Sequence, residues 1–218
     1  MIFERLVVGS LQVNCYLLGC RASREAIVID PGGNVSEIVA ALRGHGLHVT
    51  QIVNTHAHFD HVLGVRELQE TTGASFLLHA DEVPVLEALP RMAQAWLGYD
   101  PGPLPHIDRT IAAGDLVRFG QYALEVRATP GHSPGGISLV DHEGRRVFTG
   151  DALFAGSVGR TDLPGADANL LIRSIREQLM TLPEEYIVLP GHGPATTIAE
   201  EHRHNPFLQS ESTAAWLS

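Results

Sequence analysis

Thr55-His56-Ala57-His58-Phe59-Asp60-His61 sets four potential metal ligands within six residues. His56 and His58 are two apart, so in extended backbone they leave the chain on one side and can chelate a single ion. Asp60 and His61 stand where the pattern turns helical towards Leu63; they point differently and can serve a second ion. The run follows Val49–Asn54, a β-branched segment that reads as a strand. Imidazole and carboxylate donors together suit zinc, iron or manganese.

Three further ligand-type residues also follow predicted strands. His132 comes after Tyr122–Ala128 in Pro130-Gly131-His132, Asp151 after Arg146–Thr149 in Thr149-Gly150-Asp151, and His192 after Tyr186–Leu189 in Pro190-Gly191-His192. Each sits beside glycine or proline, where the backbone can turn sharply to aim a side chain. Strand ends drawn from distant positions converge at one edge of a layered core, a usual place for a site. Seven donors are too many for one tetrahedral ion and suit two ions sharing a ligand, which points to a hydrolase using a metal-activated hydroxide. Asp30, in Ile29-Asp30-Pro31-Gly32, is the weakest candidate and reads as a turn residue or a support for the ligands.

The elements around these positions mix at first and then separate. Ile2–Val8 and Val13–Leu18 form a predicted hairpin across Gly9-Ser10, and Ala26–Ile29 is a third strand. A helix capped by Asn34 or Ser36 runs to about Arg43, another spans Leu63 to about Thr71, and Asp81 is expected to cap the next. After the Pro-rich loop Gly98–Pro105 come four short strands, then an amphipathic helix over Asn169–Thr181 with Leu170, Ile172, Ile175 and Leu179 as core residues. A doubly wound sheet would alternate throughout. Two sheets packed face to face, with helices outside, fit this order better.

Composition narrows the function classes. The formal net charge is −10 and all fifteen basic residues are arginine, which excludes a lysine Schiff base and a P-loop lysine. The acidic balance argues against a nucleic-acid partner. Two cysteines, Cys15 and Cys20, are too few for a disulfide scaffold and read as buried or indifferent thiols. With no signal peptide and no long apolar run, a cytoplasmic protein without membrane attachment is expected.

Thr55–His61 resembles the HxHxDH signature of the metallo-β-lactamase superfamily. Thr129-Pro130-Gly131-His132, Phe148-Thr149-Gly150-Asp151 and Pro190-Gly191-His192-Gly193 resemble its later blocks, in the same order. Gly150–Phe154, Gly156–Asp167, Gly191–Thr197 and Asn205–Leu208 are most similar to the glyoxalase II-like branch, the hydroxyacylglutathione hydrolases, in its short bacterial single-domain form. The resemblance implies an α/β fold, a four-layer αββα sandwich, and two divalent transition-metal ions per chain, zinc with iron or manganese as alternatives. By position, His56, His58 and His132 would hold one ion, Asp60, His61 and His192 the other, and Asp151 would bridge them. It further implies thioester hydrolysis, as of S-D-lactoylglutathione, by a metal-bridging hydroxide that Asp60 helps to orient.

Only 26 residues follow His192 (218 − 192), too few for the helical glutathione-binding domain of full-length glyoxalase II. A single domain spanning 1–218 is therefore expected, with arginine supplying any contact to the thiol's carboxylates. Arg160 is the candidate, against an equally good ion pair with Asp162 or Asp167. Tyr99 and Phe154 are candidates to line an acyl pocket. Two rivals share the scaffold: a mononuclear iron persulfide dioxygenase, whose sequences also carry a stretch like Gly159-Arg160-Thr161-Asp162, and a hydrolase of another ester, lactone or β-lactam.

Overall fold

Parallel pairing decides the architecture of the first half of the chain in the computed structural model, which describes residues 1–209. β1 (Ile2–Val8), β2 (Val13–Gly19), β3 (Glu25–Ile29), β4 (His48–Val53), β5 (Ser75–His79) and β6 (Arg109–Ile111) form one sheet in sequence order. β1, β2 and β3 pair antiparallel through short turns, whereas β3–β4, β4–β5 and β5–β6 are parallel. Parallel neighbours need crossovers, and helices supply them. α1 (Val35–Gly44) joins β3 to β4; α2 (Phe59–Val62) and α3 (Val65–Thr72) join β4 to β5; a 3-10 turn (Ala80–Glu82) and α4 (Val83–Leu97) lead towards β6. α1 buries Val35, Ile38 and Leu42, one face at helical spacing, in a core with Ile52, Leu68 and Phe76. Each such side chain contributes about 1.5–3 kcal/mol by leaving water.

The second sheet has the order β14-β13-β10-β9-β8-β7. Its strands are β7 (Leu116–Phe119), β8 (Tyr122–Ala128), β9 (Ile137–Asp141), β10 (Arg146–Gly150), β13 (Ile187–Pro190) and β14 (Thr196–Thr197); β11 (Leu153–Phe154) and β12 (Ser157–Val158) form a small ribbon. α5 (Ala168–Ser174) lies in the crossover between the parallel strands β10 and β13, and α6 (Ile198–His204) and α7 (Pro206–Gln209) follow β14. Contact density divides the chain into one unit of Met1–Ile111 with Val117–Ala123 and another of Ala112–Leu116 with the residues from Leu124.

Two local expectations are corrected. α5 becomes a π-helical turn over Ile175–Leu179, where Met180 N–H donates to Ile175 O at 3.0 Å. Leu171, rather than Leu170, lies in the core beside Ile172 and Ile175, one α-helical turn before Ile175 on the same face. Asp81 caps nothing: its N–H donates to the His79 ring, which is the cap of the 3-10 turn. Among the described residues no helix is long and apolar enough to cross a membrane, and both cysteines are free thiols. They are not alike. Burial, then the Asp30 charge, pushes the Cys15 thiol well up, whereas hydrogen bonds led by the Ser23 side chain bring Cys20 down to about 7.

Candidate metal centre

β4 ends at Val53, and the backbone runs without regular structure from Asn54 until α2 begins at Phe59. Freed from the sheet ladder, the imidazoles of this stretch gather on one side. The rings of His56 and His58 meet edge to face with centroids 4.7 Å apart, and those of His56 and His61 lie 4.2 Å apart. Ligand atoms of His56 and His58, of His56 and His61, and of Asp60 and His61 come within 4.8 Å. His61 is fully buried, and His56 and His58 are 2% and 7% exposed.

Three polar residues that the motif does not contain hold this loop. Asn54, fully buried, donates through Nδ2 to the carbonyls of His61 (2.8 Å) and His56 (3.4 Å). Glu82, equally buried, accepts the Ala57 N–H at 2.7 Å, between His56 and His58. Asp30, in left-handed backbone at φ 51°, accepts Thr55 N–H on Oδ1 and the Thr55 hydroxyl on Oδ2, both at 2.7 Å. A hydroxyl has one proton. Having given it to Asp30, Thr55 Oγ1 can only accept from His56 Nδ1, 3.1 Å away. The His56 proton is thereby fixed on Nδ1 and Nε2 presents its lone pair. Asp30 Oδ2 also lies 3.1 Å from His61 Nδ1. Asp30 is thus a support: its Oδ2 accepts from Thr55 and stands against the His61 ring.

Outer carboxylates of this kind set ligand tautomer and basicity. Asp30→Asn puts an amide where Thr55 and His61 need an acceptor. Metal affinity is expected to fall about 10–100-fold while the fold persists, measured by competition with a chromogenic chelator. Unchanged affinity would remove Asp30 from this role.

In the second unit, Gly131 turns the chain after β8 at φ 130°. His132 then donates from Nδ1 to the Arg160 carbonyl at 2.8 Å. A carbonyl can only accept, so this ring too carries its proton on Nδ1 and turns Nε2 to Asp151. Gly191 N–H donates to Gly150 O at 2.8 Å, tying the ends of β10 and β13 together. Asp151 and His192 therefore emerge side by side. Asp151 Oδ2 lies 3.7 Å from Nε2 of His132 and 3.7 Å from Nε2 of His192.

These donors fit metal ions. A distance of 3.7 Å between an oxygen and a nitrogen is too long for a hydrogen bond. Two ligands about 2.1 Å from a common ion at near-tetrahedral angles stand about 3.4 Å apart, close to what is seen. In His132 the proton is engaged elsewhere, so a lone pair faces a carboxylate and a cation resolves the conflict. The first unit has the same character: three buried imidazoles and the Asp60 carboxylate crowd together, a costly arrangement without a shared cation.

All seven predicted ligands thus lie in two clusters, His56, His58, Asp60 and His61 in one unit and His132, Asp151 and His192 in the other. Arg160 makes a bidentate pair with Asp162, both contacts at 2.7 Å, and the guanidinium holds the Asp162 carboxyl down to about 2. The Phe154 ring stands 6.4 Å from that of His192, and Tyr99 borders a cleft beside Asp60. Motif reading missed Asn54, Glu82 and the hydroxyl of Thr55. Thr55 lies inside the signature and Asn54 directly before it; Glu82 carries no local signal.

Known proteins bear on the geometry. The pattern of the metallo-beta-lactamase superfamily matches residues 8–192. The hydroxyacylglutathione hydrolase GloC of Haemophilus influenzae is 35% identical over 219 residues, covering 97% of this chain and 100% of the relative. The crystal structure of the BLEG-1 B3 metallo-beta-lactamase superposes with a TM-score of 0.87 at 36% identity, over 96% of this chain and 100% of that one. TTHA1623, solved in a di-iron-bound form, gives 0.85 at 42% identity, over 94% and 100%. ETHE1 from Myxococcus xanthus gives 0.83 at 34% identity, over 100% and 88%. The expected α/β fold with two sheets is borne out.

Proposed function

Since the chain belongs to the metallo-β-lactamase superfamily, whose metallo-hydrolases use divalent metal ions, we propose that it hydrolyses thioesters of the S-acylglutathione type, such as S-D-lactoylglutathione. The full-length likeness to a hydroxyacylglutathione hydrolase carries this assignment. The proposed division of ligands is His56, His58 and His132 for one ion, Asp60, His61 and His192 for a second, with Asp151 touching both. Zinc suits the donors, and iron or manganese would serve. Bound metal lowers the pKa of water towards neutrality and polarises a carbonyl.

The chain's own residues do the rest. Tautomers fixed at Nδ1 aim Nε2 of His56 and His132 inward. Asp60 can accept a hydrogen bond from the attacking water and so orient it. The leaving thiolate is a weak base, with a thiol pKa of about 8.5, so no strong general acid is required. Arg160 is proposed to receive a carboxylate of the thiol. Arg160→Ala is expected to raise KM several-fold with kcat little changed, in steady-state assays; an unaltered KM would strike Arg160 from the binding set.

The deciding experiment joins metal analysis to a substrate panel. About two transition-metal ions per chain and cleavage of S-D-lactoylglutathione are expected. The mononuclear iron dioxygenase alternative, raised by Gly159-Arg160-Thr161-Asp162, predicts one iron and oxygen uptake with glutathione persulfide. That result without thioesterase activity would refute the hydrolase, and cleavage of β-lactams or lactones alone would reassign it.

A further inference from the structure

Beside Asp60, wholly within the first unit, lies a cleft of about 350 Å³ whose walls include Leu11, Phe59, Leu63 and Tyr99. We propose that this cleft receives the acyl arm of the substrate and selects uncharged, extended apolar arms over both the short lactoyl group and arms ending in a carboxylate. The inference rests on the thioesterase assignment and deepens it by naming a substrate class.

The cleft is of the size that takes a ligand rather than a water or two; small-molecule sites begin at about 300 Å³. A lactoyl arm, with one methyl and one hydroxyl beyond its carbonyl, leaves most of it empty. Phe59 is buried at its base, while Leu11 and Tyr99 stand at 46% and 49% exposure on its rim. Large apolar side chains left half open around a concavity gain when a ligand covers them.

Its parts are held in place. Leu11 sits in the β1–β2 turn, which is anchored because Gly9 N–H donates to Asn34 Oδ1 at 2.9 Å. Asn34 Nδ2 is in turn given to Glu37 Oε1 at 2.7 Å. Tyr99 follows Gly98, whose left-handed backbone at φ 77° ends α4 and redirects the chain. Gly32 makes the close approach to α2 possible, since a Cβ there would overlap the Asp60 carbonyl oxygen.

Charge sets the second half of the preference. No arginine or histidine is among the described residues lining the cleft. The charged side chain that lines it is Asp60, so a carboxylate at the far end of an acyl arm would lose its water beside a like charge and the neutral Ser10 and Asn34, with no cation to compensate.

The test uses metal-loaded full-length protein and two readouts. S-Acylglutathiones from acetyl to hexanoyl, with D-lactoyl and succinyl, are compared by kcat/KM. Calorimetry with the free carboxylates acetate, butyrate, hexanoate and octanoate, with succinate beside them, reads the cleft without depending on turnover or on the thiol. Both series are expected to strengthen about two- to fourfold per added methylene over the first few carbons, as burial of apolar surface predicts. The succinyl and succinate ligands should fall below their butyryl and butyrate counterparts. Tyr99→Ala and Leu11→Ser, both at exposed positions, should each lower the hexanoyl-to-acetyl ratio several-fold. Acetyl and lactoyl thioesters cleaved as well as hexanoyl, with flat carboxylate binding, would overturn the cleft and leave the thioesterase standing. Carboxylate binding that strengthens with chain length while no thioester is cleaved would sustain the cleft and refute the thioesterase. Ratios unmoved by both substitutions would show that the selectivity, if present, arises elsewhere.

Discussion

Asp151→Ala is expected to abolish thioester hydrolysis, by 10³-fold or more, and to lower bound metal from about two ions per chain to below one. One oxygen of Asp151 stands 3.7 Å from Nε2 of both His132 and His192. On the proposed division, removing it takes the shared ligand from both ions, leaving His56, His58 and His132 around one and Asp60, His61 and His192 around the other. The residue follows β10 at a partly exposed position outside both hydrophobic cores, so the metal-free variant should melt with the metal-free parent. Elemental analysis after exhaustive dialysis, read beside the assay, separates the outcomes. Metal content equal to the parent's would show that Asp151 does not bridge.

Gly32→Ala should strike the fold and the site together. The added methyl would overlap a backbone carbonyl, that of Asp60, rather than the tip of a flexible side chain. Nor can the turn retreat easily, because the adjoining Pro31 carbonyl accepts Gly64 N–H at 2.9 Å and Gly32 N–H is held by Asp30 O at 2.9 Å. Overpacking of this kind costs about 3 kcal/mol. At about 2–4 °C per kcal/mol for a chain of this size, the melting temperature should drop by roughly 6–12 °C. Because α2 carries Asp60 and His61, metal affinity should fall in the same variant. A parental melting curve with parental metal content would mean that the turn yields at little cost.

Much of this protein was readable from local pattern. Four donors in six residues announce a metal site because no structural need gathers imidazoles so densely. The strand ends at Ala128, Gly150 and Pro190 were legible to within one residue because the apolar runs stop at glycine and proline, and the end at Val53 because its run gives way to Asn54 and the histidines. What stayed hidden depends on contacts between distant residues. Asp30 looks like a turn residue until β3 and β4 pair in parallel and bring Thr55, 25 positions later, against it. Glu82 sits in a charged stretch that reads as solvent-facing, yet it is buried on Ala57 N. In the helix over Asn169–Thr181 two adjacent leucines competed for the core face, and the buried one is Leu171, one turn before Ile175, while the π turn at Ile175–Leu179 carried no signal in the sequence.

The oxygen that Asp30 shares between the Thr55 hydroxyl and the His61 ring reaches further than a support for one ligand. On the proposed division, His56 and His61 serve different ions, and Thr55 links the first to the same acceptor that faces the second. On that division, a change at the Thr55 hydroxyl or at the His61 ring is felt at both positions, so the two metal affinities are coupled reciprocally. A single proton acceptor at Asp30 thereby ties the proton positions of two imidazoles that the sequence places five residues apart.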